Sequence, residues 1–175
     1  MKCAHHVIYI LCIQTLVLAA DVDLLMTFKH RVVKRDPSSV LSSWGSRDYC
    51  TWYGIKCGRD ASLSWVDTIS ITSSRLEFAM WDGFAHFQRL RYINFSTNRI
   101  TGGIPWNLGR LKSLVSLDLS FNDIYGTIPS SFNDIPSLEI LVLRKNRMHG
   151  AFPSGLCGNT KLRIFDMGFN KLTGR

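Results

Sequence analysis

A repeat of 24 residues is the feature that most constrains how this chain can fold. The stretch that begins at Leu90 recurs at Leu114, Leu138 and Leu162, and the last copy is incomplete. Each copy also carries an asparagine, a glycine and, in the complete copies, a proline in one register: Asn98, Asn122, Asn146 and Asn170, Gly102, Gly126, Gly150 and Gly174, and Pro105, Pro129 and Pro153. Several marks at one fixed period indicate a solenoid, in which each unit packs against its neighbours.

A divergent copy precedes these units. Its apolar residues Val66, Ile69, Ile71 and Leu76 fall one period before Leu90, Ile93, Phe95 and Ile100, whereas Ser74, Phe78 and Trp81 replace the asparagine, glycine and proline. We therefore predict repeats over residues 66–175, with four full units and a partial fifth that begins at Leu162.

The apolar residues of each unit predict a short strand. Ile93 and Phe95 flank one residue that points the other way, which is typical of a strand with one buried face. Successive strands then stack into a parallel sheet, about 4.8 Å apart. We expect each asparagine to be buried and to donate to and accept from backbone groups of neighbouring turns. Glycine suits the turn because it tolerates positive φ, and six apolar residues fill the coils beyond it: Ile104, Ile128, Phe152, Leu108, Phe132 and Leu156.

The unit L-x-x-L-x-L-x-x-N-x-[LI]-x-G-x-[IF]-P resembles the plant-specific subtype of leucine-rich repeat. With the segment before the repeats, the resemblance covers the chain from about Asp21 to Arg175. It implies an α/β fold, a right-handed solenoid with a parallel β-sheet on its concave face and 3-10 helices and loops on its convex side. It also implies an interaction role, although not a particular partner.

The first 20 residues read as a secretory signal peptide. Lys2 supplies the positive start, residues 7–20 are almost wholly apolar, and Ala19 and Ala20 form a small-residue exit. The stretch is short for a membrane span, which needs about 20 apolar residues. The alternative is an anchored signal helix. We predict cleavage after Ala20, so that this chain spans no membrane beyond its signal sequence.

Residues 21–65 are predicted to cap the repeats. The spacing of Leu24, Leu25, Phe28 and Val32 indicates a helix over 21–33, and a second short helical turn should lie near Trp44. Leu-Ser-Ser-Trp followed by C-x-W-x-G-I-x-C resembles the helical, disulfide-bonded cap that precedes plant leucine-rich repeats. Such a cap covers the apolar end of the first coil, here with Trp44, Trp52 and Ile55. The resemblance implies a disulfide between Cys50 and Cys57, which a secreted compartment permits.

Two further residues are candidates for modification. Cys157 has no partner once Cys3 and Cys12 leave with the signal, so it is either a small buried filler or a reactive or intermolecular thiol. Asn94 begins the chain's one glycosylation sequon, Asn-Phe-Ser. A glycan there would crowd the concave face, and an unmodified asparagine is the alternative.

The candidate ligand-binding residues are those of the predicted concave face, because variable side chains on a rigid frame suit recognition. They are Tyr92, Asn94 and Ser96; Ser116, Asp118 and Ser120; Ile140, Val142 and Arg144; and Ile164 and Asp166. Thr97, Phe121, Lys145, Gly168 and Phe169 share this face, and Thr68, Ser70, Thr72 and Ser73 belong to it in the divergent copy.

Composition and motifs narrow the function further. The net charge is +8 and 19% of residues are charged, and the basic residues are scattered apart from Arg144, Lys145 and Arg147. In a secreted chain this argues against nucleic acid, and an acidic polysaccharide or peptide is more compatible. The alternative, which the scattered charges favour, is a solvated surface without such a ligand. The sequence contains no catalytic motif, phosphate-binding loop or Cys/His metal spacing. We expect no enzyme activity, no cofactor and no metal.

The resemblance implies an extracellular module of the plant leucine-rich-repeat receptor type, secreted or at the cell surface. We interpret the chain as a truncated ectodomain of a receptor-like kinase or receptor-like protein in signalling or defence. A peptide, protein or oligosaccharide would be its ligand, with a co-receptor as a further partner. Attachment to the plasma membrane would require a longer form with a transmembrane helix. The alternatives are a free-standing secreted inhibitor of wall-degrading enzymes, similar to polygalacturonase inhibitors, and an unproductive gene fragment.

The last repeat generates one further expectation. The sequence stops before the Ile-Pro turn of its fifth unit. Repeat arrays need a polar terminal cap for solubility, so we expect Phe165, Met167 and Leu172 to lie at an uncovered end and the isolated product to be poorly secreted.

Overall fold

The computed structural model describes residues 21–61 and 63–173, and it shows stacked coils of one repeat each. Six strands form the main sheet, in the order β1-β2-β3-β4-β6-β8. Their bounds are Ile55–Arg59 (β1), Ser64–Ser70 (β2), Tyr92–Asn94 (β3), Ser116–Asp118 (β4), Ile140–Val142 (β6) and Ile164–Asp166 (β8). From β2 onward the strands are parallel, with Ile69, Ile93, Leu117, Leu141 and Phe165 level with one another. The repeat period therefore equals one coil, as the sequence predicted.

The asparagine at the end of each strand joins its own coil to the preceding one, which confirms the predicted bonding. Asn122 Nδ2 donates to the carbonyl of Phe95 in the preceding coil (3.0 Å) and to that of Leu119 in its own (3.1 Å). Its Oδ1 accepts the Ile100 N–H at 3.0 Å. Asn98, Asn146 and Asn170 repeat the same pattern, although Asn170 is only partly buried and not buried as predicted. These buried bonds satisfy backbone groups that the bend would otherwise leave unpaired.

The left-handed turn positions are only partly those expected. Gly102, Gly126 and Gly150 have φ between 83° and 86°, as predicted for the turn glycines. A second left-handed position lies directly before each asparagine, occupied by Thr97, Phe121, Lys145 and Phe169, and by Ser73 in the divergent coil. A non-glycine residue in this region is unfavourable, so it persists because the asparagine bonds fix the bend around it.

A second sheet, which the sequence analysis did not predict, lies beyond the asparagines. Three parallel strands form it in the order β5-β7-β9: Tyr125–Gly126 (β5), Arg147–Ala151 (β7) and Lys171–Thr173 (β9). An isolated bridge between Ala79 and Thr101 extends this pairing toward the first coil. β5 and β7 contain a glycine and most side chains of the three strands are exposed, so no apolar alternation marks this sheet in the sequence.

Short 3-10 helices close the outer side of the coils, as the resemblance implied. They span Asp82–His86, Trp106–Arg110, Ser130–Asp134 and Ser154–Gly158. Each buries one large side chain, namely Phe84, Leu108, Phe132 and Leu156. Ile104 and Ile128 are also buried as predicted, whereas Phe152 is only partly buried. Cys157 is exposed at the end of the last of these helices, so the interpretation as a buried filler is wrong.

The N-terminal segment caps the first coil with aromatic side chains. Residues 21–27 are α-helical and Phe28–Val32 continue as a π-helix, followed by 3-10 turns at Val40–Ser43 and Tyr49–Thr51. The Phe28 ring lies 4.9 Å from that of Phe78 and 5.2 Å from that of Phe84. Trp44, Trp52 and Ile55 are buried, as predicted, and the two indoles stack at 5.5 Å. The signal-peptide prediction falls on residues 1–20, outside the described residues.

The cap is also bonded to the first coil, more closely than a boundary at residue 65 implies. β1 pairs antiparallel with β2, with Ile55 opposite Ile69. The Asp21 carboxylate accepts the Val66 N–H at 2.8 Å, and burial raises the pKa of Asp21. Tyr49 donates its hydroxyl to the Ser64 carbonyl at 3.1 Å, and burial raises the pKa of Tyr49. The disulfide between Cys50 and Cys57 closes the loop that carries Trp52.

We predict that replacing Cys50 and Cys57 together by serine lowers the free energy of unfolding. Opening a loop of this length should cost about 2.5 kcal/mol. Chemical denaturation of the secreted protein measures the change. Cys157→Ser is the control, and it should stay within about ±0.5 kcal/mol because this thiol is exposed. If both Cys50 and Cys57 can be alkylated without reductant, the disulfide is absent from the secreted protein.

Replacing Asn122 by alanine should destabilise the array because it leaves the buried Ile100 N–H unpaired. One such group costs about 1–3 kcal/mol. The Phe95 carbonyl also accepts from Asn98, so it keeps one partner. Asn133→Ala is the matched control, since this exposed asparagine should contribute less than about 0.5 kcal/mol. Equal losses at the two positions in chemical denaturation would show that the ladder does not stabilise the coils.

Candidate functional site

The predicted concave-face residues stand in straight rows across the main sheet. One row contains Thr68, Tyr92, Ser116, Ile140 and Ile164, and the next contains Ser70, Asn94, Asp118, Val142 and Asp166. Neighbouring residues of a row are about 4.8 Å apart, the spacing of hydrogen-bonded strands. Because the residues between the two rows are buried, both rows point away from the core. The structure thus brings eight of the eleven candidate residues together in two rows, and Ser96, Ser120 and Arg144 follow the strands.

The third candidate position of each coil lies just after the strand. In two coils its residue, Ser96 or Ser120, donates a hydrogen bond to the side chain two residues earlier. The side-chain oxygen of Asn94 accepts the Ser96 N–H, and that of Asp118 accepts the Ser120 N–H, both at 2.9 Å. Ser120 also donates its hydroxyl to Asp118 at 2.7 Å and is only 5% exposed. The prediction that Ser120 is available to a ligand is therefore wrong, because the residue supports the Asp118 carboxylate instead.

The chemistry of the concave face changes along the solenoid. The first three coils present hydroxyls, amides and one carboxylate, with Tyr92 as their one aromatic side chain on these rows. The next two present Ile140, Val142 and Ile164, and Ile164 is 51% exposed. With Asp166 in the same coils, the face changes from polar in the first three coils to a mixture of apolar and acidic groups in the last two.

Four side chains at the end of these strands form what we call the cation–aromatic cluster: Phe121, Arg144, Lys145 and Phe169. The Arg144 guanidinium lies 4.3 Å from the centre of the Phe169 ring and 3.5 Å from the Asp166 carboxylate. The Lys145 ammonium lies 4.8 Å from the Phe121 ring and 5.6 Å from the Phe169 ring. Phe169 is 67% exposed. Within the part of the chain that the structure describes, Lys145 has no acidic partner.

The backbone explains why the cluster forms where it does. Phe121, Lys145 and Phe169 occupy the left-handed position before the asparagine, so the chain bends at each of them. Gly168 provides the space for Arg144, because a Cβ there would lie 3.0 Å from Nη1 of Arg144 and 3.2 Å from Oδ1 of Asp166. The repeat period places these residues on one face, and the left-handed bend and the glycine at 168 leave room for their side chains to meet there.

Asn94 is also the candidate for glycosylation. Asn94 lies in β3 on the concave face with its Oδ1 bonded to Ser96, so glycosylation there stays a prediction. Over residues 21–61 and 63–173, no group of three His, Cys, Asp or Glu side chains could hold a metal ion. In the same ranges no helix has the length and apolar character needed to cross a bilayer.

Comparison with protein families identifies both parts of the chain. Residues 18–58 match the leucine rich repeat N-terminal domain, and residues 66–124 and 112–172 match the leucine rich repeat model. Receptor-like protein 5 of Arabidopsis thaliana is 31% identical over 118 residues, which are 62% of this chain and 43% of that protein. The chain spans less than half of the length of the curated relatives it matches, and less than a tenth of the receptor kinases EFR and HSL1 of Arabidopsis thaliana. The catalytic domain of those kinases is not covered.

Solved structures of plant receptor ectodomains share the fold. A chain of the BIR3–SERK2 complex from Arabidopsis thaliana matches with a TM-score of 0.79 and 29% identity, over 88% of this chain and 84% of that chain. The PEPR1–AtPEP1 structure matches with a TM-score of 0.79 and 30% identity, over 89% of this chain and 22% of that chain. The leucine rich repeat model alone covers more than half of the 175 residues. This chain therefore belongs to the leucine-rich repeat family, with the N-terminal cap and repeats found in plant receptor ectodomains.

Proposed function

We propose that the chain is an extracellular ligand-recognition module of the plant leucine-rich-repeat receptor type. It acts by binding and not by catalysis, at the cell surface or after secretion. Residues 1–20 serve as the signal peptide, 21–65 as the cap and 66–175 as the repeats. The observation that carries the proposal is the cation–aromatic cluster beside the exposed Ile164 on a sheet whose frame is held by other residues.

The geometry favours an extended peptide or a protein segment as the ligand. Five parallel strands span four steps of about 4.8 Å, or roughly 19 Å, which matches about six residues of extended chain. An apolar side chain of the ligand can lie on Ile140 and Ile164, and an acidic group can reach Arg144 and Lys145. Charge complementarity of this kind gives specificity and a faster on-rate.

The complexes of two similar ectodomains support both kinds of partner. PEPR1 is seen with AtPEP1, and BIR3 is seen in a complex with SERK2. We infer by analogy that this chain binds a peptide or protein and also associates with a second ectodomain as co-receptor. The short array offers a small footprint for a peptide alone, so a second protein surface would add contact area.

We predict that Arg144→Glu abolishes ligand capture. Peptides selected from a random peptide library with the wild-type protein should combine acidic and apolar residues, because these complement Arg144, Ile140 and Ile164. Their affinity for the Arg144→Glu variant should fall by at least about tenfold, or 1.4 kcal/mol. Surface plasmon resonance on the secreted proteins measures the change.

Arg163→Glu is the matched control, with the same reversal of charge at an exposed arginine outside the two rows. Its affinity should stay within about twofold of wild type. If selected peptides bind the Arg144→Glu variant as tightly as the wild type, the concave face is not the recognition surface. Both variants should unfold cooperatively, which verifies that charge reversal has not disrupted the coils.

A further inference from the structure

We infer that the outer side of the coils carries a second binding site, for an uncharged oligosaccharide. The site is an open groove of about 950 Å³ that crosses three successive coils on the other side from the concave face. It is lined by residues 103–106, 127–131 and 151–154 and by Asn133, and we call it the outer groove. It lies between the second sheet and the 3-10 helices, and it shares no residue with the cation–aromatic cluster.

The charge of the groove argues for a neutral ligand. None of its lining residues is Asp, Glu, Lys, Arg or His, although the chain as a whole has 21 basic and 13 acidic residues. An acidic or basic ligand would lose hydration against these walls, and no lining residue supplies an opposite charge; the guanidinium of Arg110 lies at the edge, beside the Trp106 ring. An uncharged ligand that offers both apolar faces and hydroxyl groups meets no such penalty.

Trp106 supplies an aromatic platform at one end of the groove. Its indole is 65% exposed, more than almost any other large apolar side chain in the described part of the chain. The Arg110 guanidinium lies 5.0 Å from the ring and packs against it, and the Ser131 hydroxyl donates to the Trp106 carbonyl and ties the backbone here to the next coil. A rigid indole with an open face suits the C–H face of a pyranose ring, which is flat, apolar and bordered by hydroxyls.

Hydroxyl side chains continue the groove at the repeat period. Ser130 and Ser154 occupy the position of Trp106 in the next two coils. Together with Thr127, their hydroxyls have no hydrogen-bond partner within residues 21–61 and 63–173, and each can donate and accept. The pairing of β5 with β7 fixes successive coils about 4.8 Å apart here. This step is close to the length of one sugar ring, so a linear oligosaccharide can meet each coil in turn.

The test uses the secreted full chain and three soluble neutral probes: hexamers of β-1,4-glucan, β-1,4-mannan and β-1,3-glucan. Saturable binding of at least one of them, measured by calorimetry or ligand-observed NMR, is the expected result. Trp106→Ala should weaken that binding by at least about tenfold. Tyr53→Ala is the matched control, because Tyr53 is an exposed aromatic residue (48%) of the cap, and it should change the affinity by less than about twofold.

Two further variants separate this inference from the function proposed above. Thr127→Glu places a charge in the groove and should also weaken binding, whereas Arg144→Glu should leave it unchanged. The inference is overturned if none of the three hexamers binds with a dissociation constant of about 10 mM or lower. It is also overturned if Trp106→Ala binds like the wild type. The same holds if only hexagalacturonate or decaproline, the charged and proline-rich comparison probes, binds in a way that depends on Trp106.

Discussion

The rest of the structure depends on the shared hydrogen bonds of the asparagine ladder. The Phe95 carbonyl accepts from both Asn98 and Asn122, and the Leu119 carbonyl accepts from both Asn122 and Asn146. Every coil therefore contributes acceptors to its own asparagine and to the next one. No coil is complete alone, which explains in physical terms why the period is so strictly kept and why nearest-neighbour contacts dominate such arrays.

The first coil has no asparagine at the ladder position, and the bonds of the ladder explain why. It has no preceding coil whose backbone an asparagine could bond, and Ser74 stands at that position with its hydroxyl on the Thr72 carbonyl. The turn residues diverge for a related reason. Phe78 replaces the usual glycine and Trp81 the usual proline, and both contact Phe28 of the cap. The divergence of this copy is thus an adaptation to the cap, since the aromatic contacts replace a missing neighbouring coil.

The sequence predicted the frame well because frame residues recur. One period fixed the strand register, the buried asparagines, the turn glycines and the inward residues of the outer helices, and the Cys-Trp segment identified the cap. The second sheet was not predicted, since its strands are short, mostly exposed and broken by Gly126 and Gly150. Such strands pair because the main sheet already holds the coils in register, and that tertiary cause leaves no local pattern.

The candidate binding surfaces were harder to predict than the frame, for a different physical reason. A period shows which residues share a face, but not which of their polar groups are already bonded. Asp118 and Ser120 share the concave face, yet they bond to each other, so the pair presents less free polar surface than its composition suggests. Conversely, Arg144 meets Phe169 beside residue 168, where a glycine stands in the place of Ser96 and Ser120 and leaves room for the guanidinium.

Because different residues form the frame and the surface, the surface can change while the frame stays the same. The ladder uses backbone groups and asparagine amides, and none of its bonds requires a particular side chain in the two rows of the concave face or in the outer groove. Substitutions such as Val142 for Asp118, one coil apart in the same row, alter the surface while Asn122 and Asn146 keep the same bonds. Two faces with opposite chemistry, one charged and aromatic and one uncharged, can therefore vary independently on a single array. The limit is set by positions such as residue 168, where a Cβ would crowd the Arg144 guanidinium and so couple the residue of one coil to a side chain of its neighbour.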